Sequence, residues 1–196
     1  MTNIAIIYYS GYGHTAKLAE AVIQGVRDKG ATPFEIRIPD DGVIGDADWA
    51  AIEAADGLIY GSPTYMGNVA WQFKRFADAS SKPWLKQAWA EKIAGGFTVS
   101  ASTVGDKGET MSWLITFAQQ HGQLWVGPAL LPNNALSHTP DDVNWSGFST
   151  GLMGIARSDS TPEQGPFPGD LQAGRLYGQR IAELAAHHAI ARQVAA

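Results

Sequence analysis

Two patterns of hydrophobic residues alternate along the chain. Short runs of consecutive apolar residues, typical of strands buried on both faces of a sheet, are separated by stretches with a helical repeat. The predicted strands cover about 3–9, 33–38, 58–61 and 92–100, and a fifth begins near Leu124. The predicted helices cover about 15–29, 46–55, 68–79 (with Asn68 as its cap), 109–121 and 170–190. This alternation predicts a parallel sheet with helices on both faces.

One long segment follows neither period. Residues 127–169 are rich in Pro, Gly, Ser, Asn and Asp. A segment of that length inside a compact domain is usually a functional lid or interface element, or else disordered. We therefore predict a single domain over 1–196, with an irregular insertion at about 127–169.

Composition narrows the class of protein. Apolar residues make up 45% of the 196 and charged residues 17%, as in folded globular domains. The net charge of −5 argues against a nucleic-acid partner. No apolar run is long enough for a membrane span, and no basic and hydrophobic leader is visible, so we expect no membrane insertion. The absence of cysteine excludes thiol chemistry within the chain and favours a cytoplasmic location.

The most informative stretch is the loop after the first strand. The apolar run Ile4–Tyr9 breaks into Ser10–Thr15, and a helical pattern starts at Ala16. Loop amides in front of a helix N-terminus form an anion site, because the helix dipole places positive charge behind them. No Lys or Arg lies between residues 1 and 16, so amides and the hydroxyls of Ser10 and Thr15 would hold the anion. This chemistry suits the phosphate monoester of a cofactor.

Two further loops leave strands at the same edge of the predicted sheet. The second covers Gly61–Asn68, in which Pro63 stiffens the backbone and Gly67 permits close approach, and the third covers Ser100–Gly108. Ligands of doubly wound sheets bind outside the carboxyl ends of the strands. A phosphate on the first loop would leave a flat heteroaromatic ring between the other two.

These motifs resemble those of the flavodoxin-like NAD(P)H:quinone oxidoreductases of the WrbA type. Ser10-x-x-Gly13-His14-Thr15 resembles that family's FMN-phosphate loop, and Pro63-Thr64-x-x-Gly67-Asn68 resembles its second flavin loop. Ser100–Gly105 falls where the family has a third loop rich in Ser, Thr and Gly. The resemblance spans residues 4–126. It implies a flavodoxin-like fold of five parallel strands in the order 2-1-3-4-5.

The resemblance also implies the residues of the cofactor site. The FMN contacts would come from Ser10, Gly11, Tyr12, Gly13, His14 and Thr15, from Pro63, Thr64, Tyr65, Met66, Gly67 and Asn68, and from Ser100, Ala101, Ser102, Thr103, Val104 and Gly105. Trp84 matches an aromatic residue that in the family lines the pocket over the flavin. The chain departs from the family around the substrate, because Gln120 and Tyr65 replace a family histidine and a family arginine.

The implied activity is two-electron reduction of a quinone. FMN would accept a hydride from NADH or NADPH at N5 and pass two electrons to the quinone, in ping-pong turnover. No catalytic side chain is essential to this scheme. Trp84, from the resemblance, and His138, as the candidate proton donor to the quinone, are the predicted substrate-binding residues. We expect the insertion to cover the flavin of its own or of a neighbouring subunit.

Single residues on the predicted helices bear on subunit assembly and on metal binding. The family forms dimers and tetramers, and Trp71 lies off the buried stripe of its predicted helix, which indicates a subunit contact in a homodimer or homotetramer. His187 and His188 are adjacent on a predicted helix and point 100° apart. That spacing favours a solvated face, so no metal site is predicted.

Other functions fit parts of the pattern. An electron-transfer flavodoxin, shuttling single electrons to a protein partner, is the main alternative. Such carriers are usually more acidic and flank the flavin with aromatic residues, which residues 100–108 lack. A scaffold that binds FMN poorly is the third hypothesis.

Gly11-x-Gly13-x-x-Ala16 also fits a loose dinucleotide fingerprint, but the second strand ends in Arg37-Ile38-Pro39 instead of an acidic residue. Gly147-x-Ser149-x-Gly151 fits a hydrolase motif, but no apolar strand precedes it.

Overall fold

A parallel sheet between two helical layers forms the molecule in the computed structural model, which describes residues 1–195. The strands are β1 (Asn3–Tyr8), β2 (Thr32–Arg37), β3 (Gly57–Tyr65), β4 (Asn68–Val69), β5 (Ile93–Ser100), β6 (Leu124–Trp125) and β7 (Leu152–Ile155). The helices are α1 (His14–Asp28), α2 (Asp46–Ala54), α3 (Trp71–Ala79), α4 (Ser81–Leu85), α5 (Lys107–Gln120) and α6 (Pro168–Ala195). The strand order is β2-β1-β3-β5-β6, with β4 antiparallel to β3 and β7 parallel to β5. The predicted flavodoxin-like arrangement is thereby confirmed.

Two short strands share the fifth position of the sheet. β6 pairs with the start of β5, at Ile93 and Ala94, and β7 pairs with its end, from Phe97 to Ser100. The chain therefore leaves the sheet after β6 and returns at Leu152, inside the segment predicted to be irregular. A four-residue strand that contains Gly154 is too short to show a hydrophobic period, so the pattern missed it. Its return brings the following loop to the carboxyl edge of the sheet.

The apolar side chains form one core on each face of the sheet. α1 and α6 cover one face with residues such as Leu18, Val22 and Tyr177, all fully buried. Phe73 and Phe76 of α3 belong to the aromatic core of the other face. The sheet is thus buried on both sides, which explains why its strands are continuously apolar in sequence.

The start of α3 differs from the prediction. Residues 64–69 form a hairpin in which Tyr65 faces Asn68 across a two-residue turn. Met66 and Gly67 both have positive φ, 48° and 76°, as a type I′ turn requires. Asn68 is consequently a strand residue, and the prediction that it caps a helix is wrong. Within residues 1–195, no helix combines the length and hydrophobicity needed to cross a bilayer.

Candidate cofactor site

A cavity of about 550 Å³ opens at the carboxyl edge of the sheet, where the loops after β1, β5 and β7 meet the last residues of β3, which form the first part of the predicted second loop. Its lining residues are Tyr12, His14, Thr15, Pro63, Thr64, Tyr65, Val99, Ser100, Ala101, Ala156, Arg157, Ser158 and Ser160. A volume in this range is typical of sites for small organic ligands and cofactors. The structure therefore brings the three predicted loops together and adds a fourth, residues 156–167.

The first loop presents free donors to the cavity. Within residues 1–195, no oxygen accepts a hydrogen bond from the backbone N–H groups of residues 11–15. They precede or begin α1, whose dipole places positive charge at this end. Ser10 Oγ accepts the N–H of Ala16 at 3.1 Å, so the hydroxyl proton of Ser10 stays available for a ligand. Unpaired amides at a helix N-terminus fit a phosphate group.

The second loop contributes an aromatic ring that packs against one from the first loop. The rings of Tyr12 and Tyr65 meet edge to face, with centroids 6.1 Å apart. Gly11 allows this arrangement, because a Cβ there would lie 2.7 Å from the Tyr65 hydroxyl oxygen. Burial raises the pKa of Tyr65 to about 12, so this hydroxyl remains a donor at neutral pH. Both rings are available to contact one edge or face of a planar ligand.

Other side chains of the second loop are engaged within the fold. Thr64 Oγ1 lies 2.8 Å from Thr98 Oγ1 and donates to Thr110 Oγ1 at 2.9 Å. The predicted contacts Met66, Gly67 and Asn68 occupy the far end of the hairpin and do not line the cavity.

The third loop reaches the cavity only through its first residues. Ser100 and Ala101 line it, whereas the predicted contacts Ser102, Thr103, Val104 and Gly105 do not. The chain folds back at this point, and a Cβ at Gly105 would lie 2.2 Å from Ser100 Oγ.

The fourth loop is packed against the first. Pro162 lies over Gly13, where a Cβ would be 2.5 Å from Pro162 Cγ. His14 Nδ1 donates to the carbonyl oxygen of Gly165 at 3.0 Å, since a carbonyl can only accept. Arg157 adds a positive charge to the lining, and its guanidinium lies 5.6 Å from the Phe167 ring centroid. The fourth loop therefore holds the first loop in place.

The fourth loop lies inside the insertion 127–169, which was predicted to cover the flavin, but none of its residues was predicted individually. Ala156, Arg157, Ser158 and Ser160 all follow β7, and the short strand itself was not predicted. The available signal was the apolar run 152–156, followed by Arg157 and by the serines Ser158 and Ser160. By contrast, residues 127–151 of the predicted insertion do not line the cavity of their own chain.

The two predicted substrate residues lie elsewhere. Trp84 of α4 lines a separate cavity of about 360 Å³, together with Trp113 and His121. His138 lies in the insertion, where its Nδ1 accepts the N–H of Ala135 at 3.1 Å. Neither side chain belongs to the lining of the cofactor cavity in its own chain. Within one chain, the structure does not join them to the predicted cofactor loops.

The fold and the site together define a flavodoxin-like protein with a site for a phosphorylated, planar cofactor. The chain belongs to the family described as NADPH-dependent FMN reductase, whose model matches residues 3–133. The resemblance found in the sequence is thus confirmed, and FMN is the cofactor of this family.

Individual relatives carry two kinds of name. The chain is 39% identical over 184 residues to flavodoxin FldP of Pseudomonas aeruginosa (strain UCBPP-PA14), covering 94% of this chain and 97% of the relative. It is 32% identical over 203 residues to an NAD(P)H dehydrogenase (quinone) of Geobacter sulfurreducens, covering 94% and 98%. Among solved structures, the flavodoxin, WrbA-like protein from Agrobacterium tumefaciens superposes with a TM-score of 0.75 at 41% identity, covering 96% and 99%. The family model and the NAD(P)H dehydrogenase (quinone) relatives together support flavin-dependent oxidoreduction.

Proposed function

We propose that this protein is an FMN-dependent NAD(P)H:quinone oxidoreductase that transfers two electrons per half-reaction. The observation that carries the proposal is the one-sided distribution of aromatic residues around the cavity. Tyr12 and Tyr65 contact each other in the lining, whereas the third and fourth loops contribute the small residues Ser100, Ala101 and Ala156. An enzyme needs one flavin face open to its substrates, and small side chains leave that space.

The residues present fit FMN. The unpaired amides of residues 11–15, with the hydroxyls of Ser10 and Thr15, would hold the phosphate, and Pro63, Tyr65, Ser100 and Ala101 would flank the ring. When bound, FMN supplies hydride acceptance and two-electron transfer. The chain's own task is to hold each substrate against the ring, because proximity alone can supply much of the rate.

Two features of the lining serve the substrates. Arg157 supplies positive charge where an anionic nicotinamide nucleotide would enter. Proton delivery to the reduced quinone falls to solvent or to a hydroxyl of the lining such as that of Tyr65. His138 is part of the site only if a neighbouring subunit brings it there.

The electron carrier is the second candidate, since flavodoxin FldP is among the relatives. Steady-state oxidation of NADH and NADPH by the FMN-loaded protein, with and without benzoquinone, separates the two. Fast oxidation that requires quinone, with no build-up of semiquinone, is the expected result and gives the nucleotide preference. Negligible oxidation of both nucleotides by fully loaded protein would refute the enzyme and favour the carrier. Failure to retain FMN would favour the scaffold.

Assembly and location complete the proposal. Trp71 is 59% exposed, a large apolar surface that suits a subunit contact in a homodimer or homotetramer. Residues 127–151 pack on their own chain through Phe148, and we assign their exposed side chains Leu131 and Leu136 to covering a neighbouring subunit's cavity. Sedimentation of Trp71→Glu should show smaller particles than the wild type, and an unchanged distribution would refute this contact. A cytoplasmic location is proposed from the cysteine-free composition.

A further inference from the structure

A buried lysine holds the third loop. Lys107 is the first residue of α5 and only 2% exposed. Its Nζ donates to Ser100 Oγ at 2.9 Å, to the carbonyl oxygen of Ser102 at 2.7 Å and to that of Thr103 at 2.8 Å. An ammonium group has three donors, and here each has an acceptor. All three acceptors belong to the loop that leaves β5 at the cavity.

Burying the ammonium group of Lys107 costs free energy of folding unless its hydrogen bonds stabilise the third loop. Removing an ammonium group from water is unfavourable, and burial lowers the pKa of Lys107 to about 8. Methionine would fill the same space without a charge. The loop carries some strain at the non-glycine residue Asp106, which has a positive φ of 52°. The three hydrogen bonds of Lys107 offset that strain.

A buried carboxylate balances the charge. Asp170, in the first turn of α6, is 5% exposed, and its Oδ2 accepts the N–H of Ile155 at 2.8 Å. Its field favours the charged form of Lys107. Ile155 pairs with Ser100 at the ends of β7 and β5, where the fourth and third loops begin. The two buried charges thus act on adjacent walls of the cavity.

We propose that Lys107 is a positioning residue of the cofactor site, whose ammonium group holds residues 100–106 so that Ser100 and Ala101 contact the ring of bound FMN. This inference rests on the proposed use of FMN. It assigns Lys107 to the ring and not to the phosphate, because its acceptors lie in the third loop and none lies in residues 10–15.

The chain offers a matched control in Lys92, which immediately precedes β5. Lys92 is also buried, at 8% exposed, and burial lowers its pKa to about 8. Its Nζ donates to the carbonyl oxygens of Ile52 and Glu53. The two lysines therefore share chemistry and burial, but Lys92 lies just before the start of β5, whereas Lys107 contacts the loop that follows its end at the cavity.

The test measures the dissociation constants of FMN and of riboflavin, which lacks the phosphate, for the folded wild type, Lys107→Met and Lys92→Met. Lys107→Met should weaken both ligands by the same factor, about tenfold. The lost hydrogen bonds hold the loop that contacts the ring, and a tenfold change in affinity corresponds to the usual net contribution of one such bond to a charged group. Lys92→Met should change neither beyond about twofold, although both variants lose thermal stability.

Two outcomes would overturn the proposal. One is a folded Lys107→Met protein whose flavin affinities match the wild type, and the other is equal weakening by Lys92→Met, which would make the effect one of general stability. If Lys107→Met does not fold, Lys107→Gln, which keeps two N–H donors without the charge, carries the same test. A wild type that binds FMN without oxidising nicotinamide nucleotides would refute the proposed enzyme and leave this assignment standing.

Discussion

The buried histidine of the aromatic core gives a direct test of the packing. His121 is 2% exposed and stacks on Trp89, with ring centroids 4.2 Å apart. Ser80 Oγ donates to the carbonyl oxygen of Ala77 at 2.6 Å, so the contact of 2.9 Å between Ser80 Oγ and His121 Nε2 requires the proton on Nε2. Nδ1 then carries no proton and has no partner among the residues that the structure describes. Protonating it would place a charge in an apolar, aromatic setting.

Acid should therefore destabilise the protein through His121. Burial lowers the pKa of His121 to about 4 from its ordinary 6.5. Between these values the unfolded chain binds a proton that the folded chain does not, so stability is lost as the pH falls through this window. The gap corresponds to about 3 kcal/mol once the pH reaches 4. His121→Phe keeps the aromatic contacts and removes the titration.

Urea unfolding of the FMN-free proteins at pH 7.5 and 4 measures the effect. The wild type should lose about 3 kcal/mol more than His121→Phe over this range, while other groups, including Asp170, act on both proteins alike. Equal losses in the two proteins would show that His121 is not held neutral by burial, and the reasoning would be wrong.

Three further predictions, with Gly30→Ala as a control, test the site and the packing around it. Thr15→Ala should weaken FMN about tenfold and leave riboflavin unchanged in calorimetric titrations, since the hydroxyl is assigned to the phosphate; equal weakening of both ligands would contradict this. Gly61→Ala would place a Cβ 2.2 Å from Phe97 Cζ and should cost about 2 kcal/mol of unfolding free energy in urea, and a loss under about 0.5 kcal/mol would mean that the strands adjust. Gly13→Ala should destabilise more than Gly30→Ala, because both glycines have positive φ but only Gly13 faces Pro162, whereas nothing lies within 4 Å of Gly30; similar melting temperatures would refute the packing argument.

The sequence by itself determined the layered fold and three of the four loops. Its apolar runs and helical stripes are local patterns, and a strand buried on both faces reads as a continuous apolar stretch. Ser10–Thr15 predicts an anion site for the same reason, because a loop before a helix N-terminus needs no distant partner to present its amides.

Tertiary structure alone decided the rest of the site. The loop containing Arg157 reaches the cavity because β7 pairs with the second half of β5, about fifty residues earlier in the chain. Trp84 lies away from the cavity, in the short helix α4 that follows α3. In the sequence, Lys107 is only a charged residue near the start of a helix, and its contact with Ser100 becomes visible only in the structure. Contacts between residues far apart in the chain fix these positions, and no local period of hydrophobicity encodes such contacts.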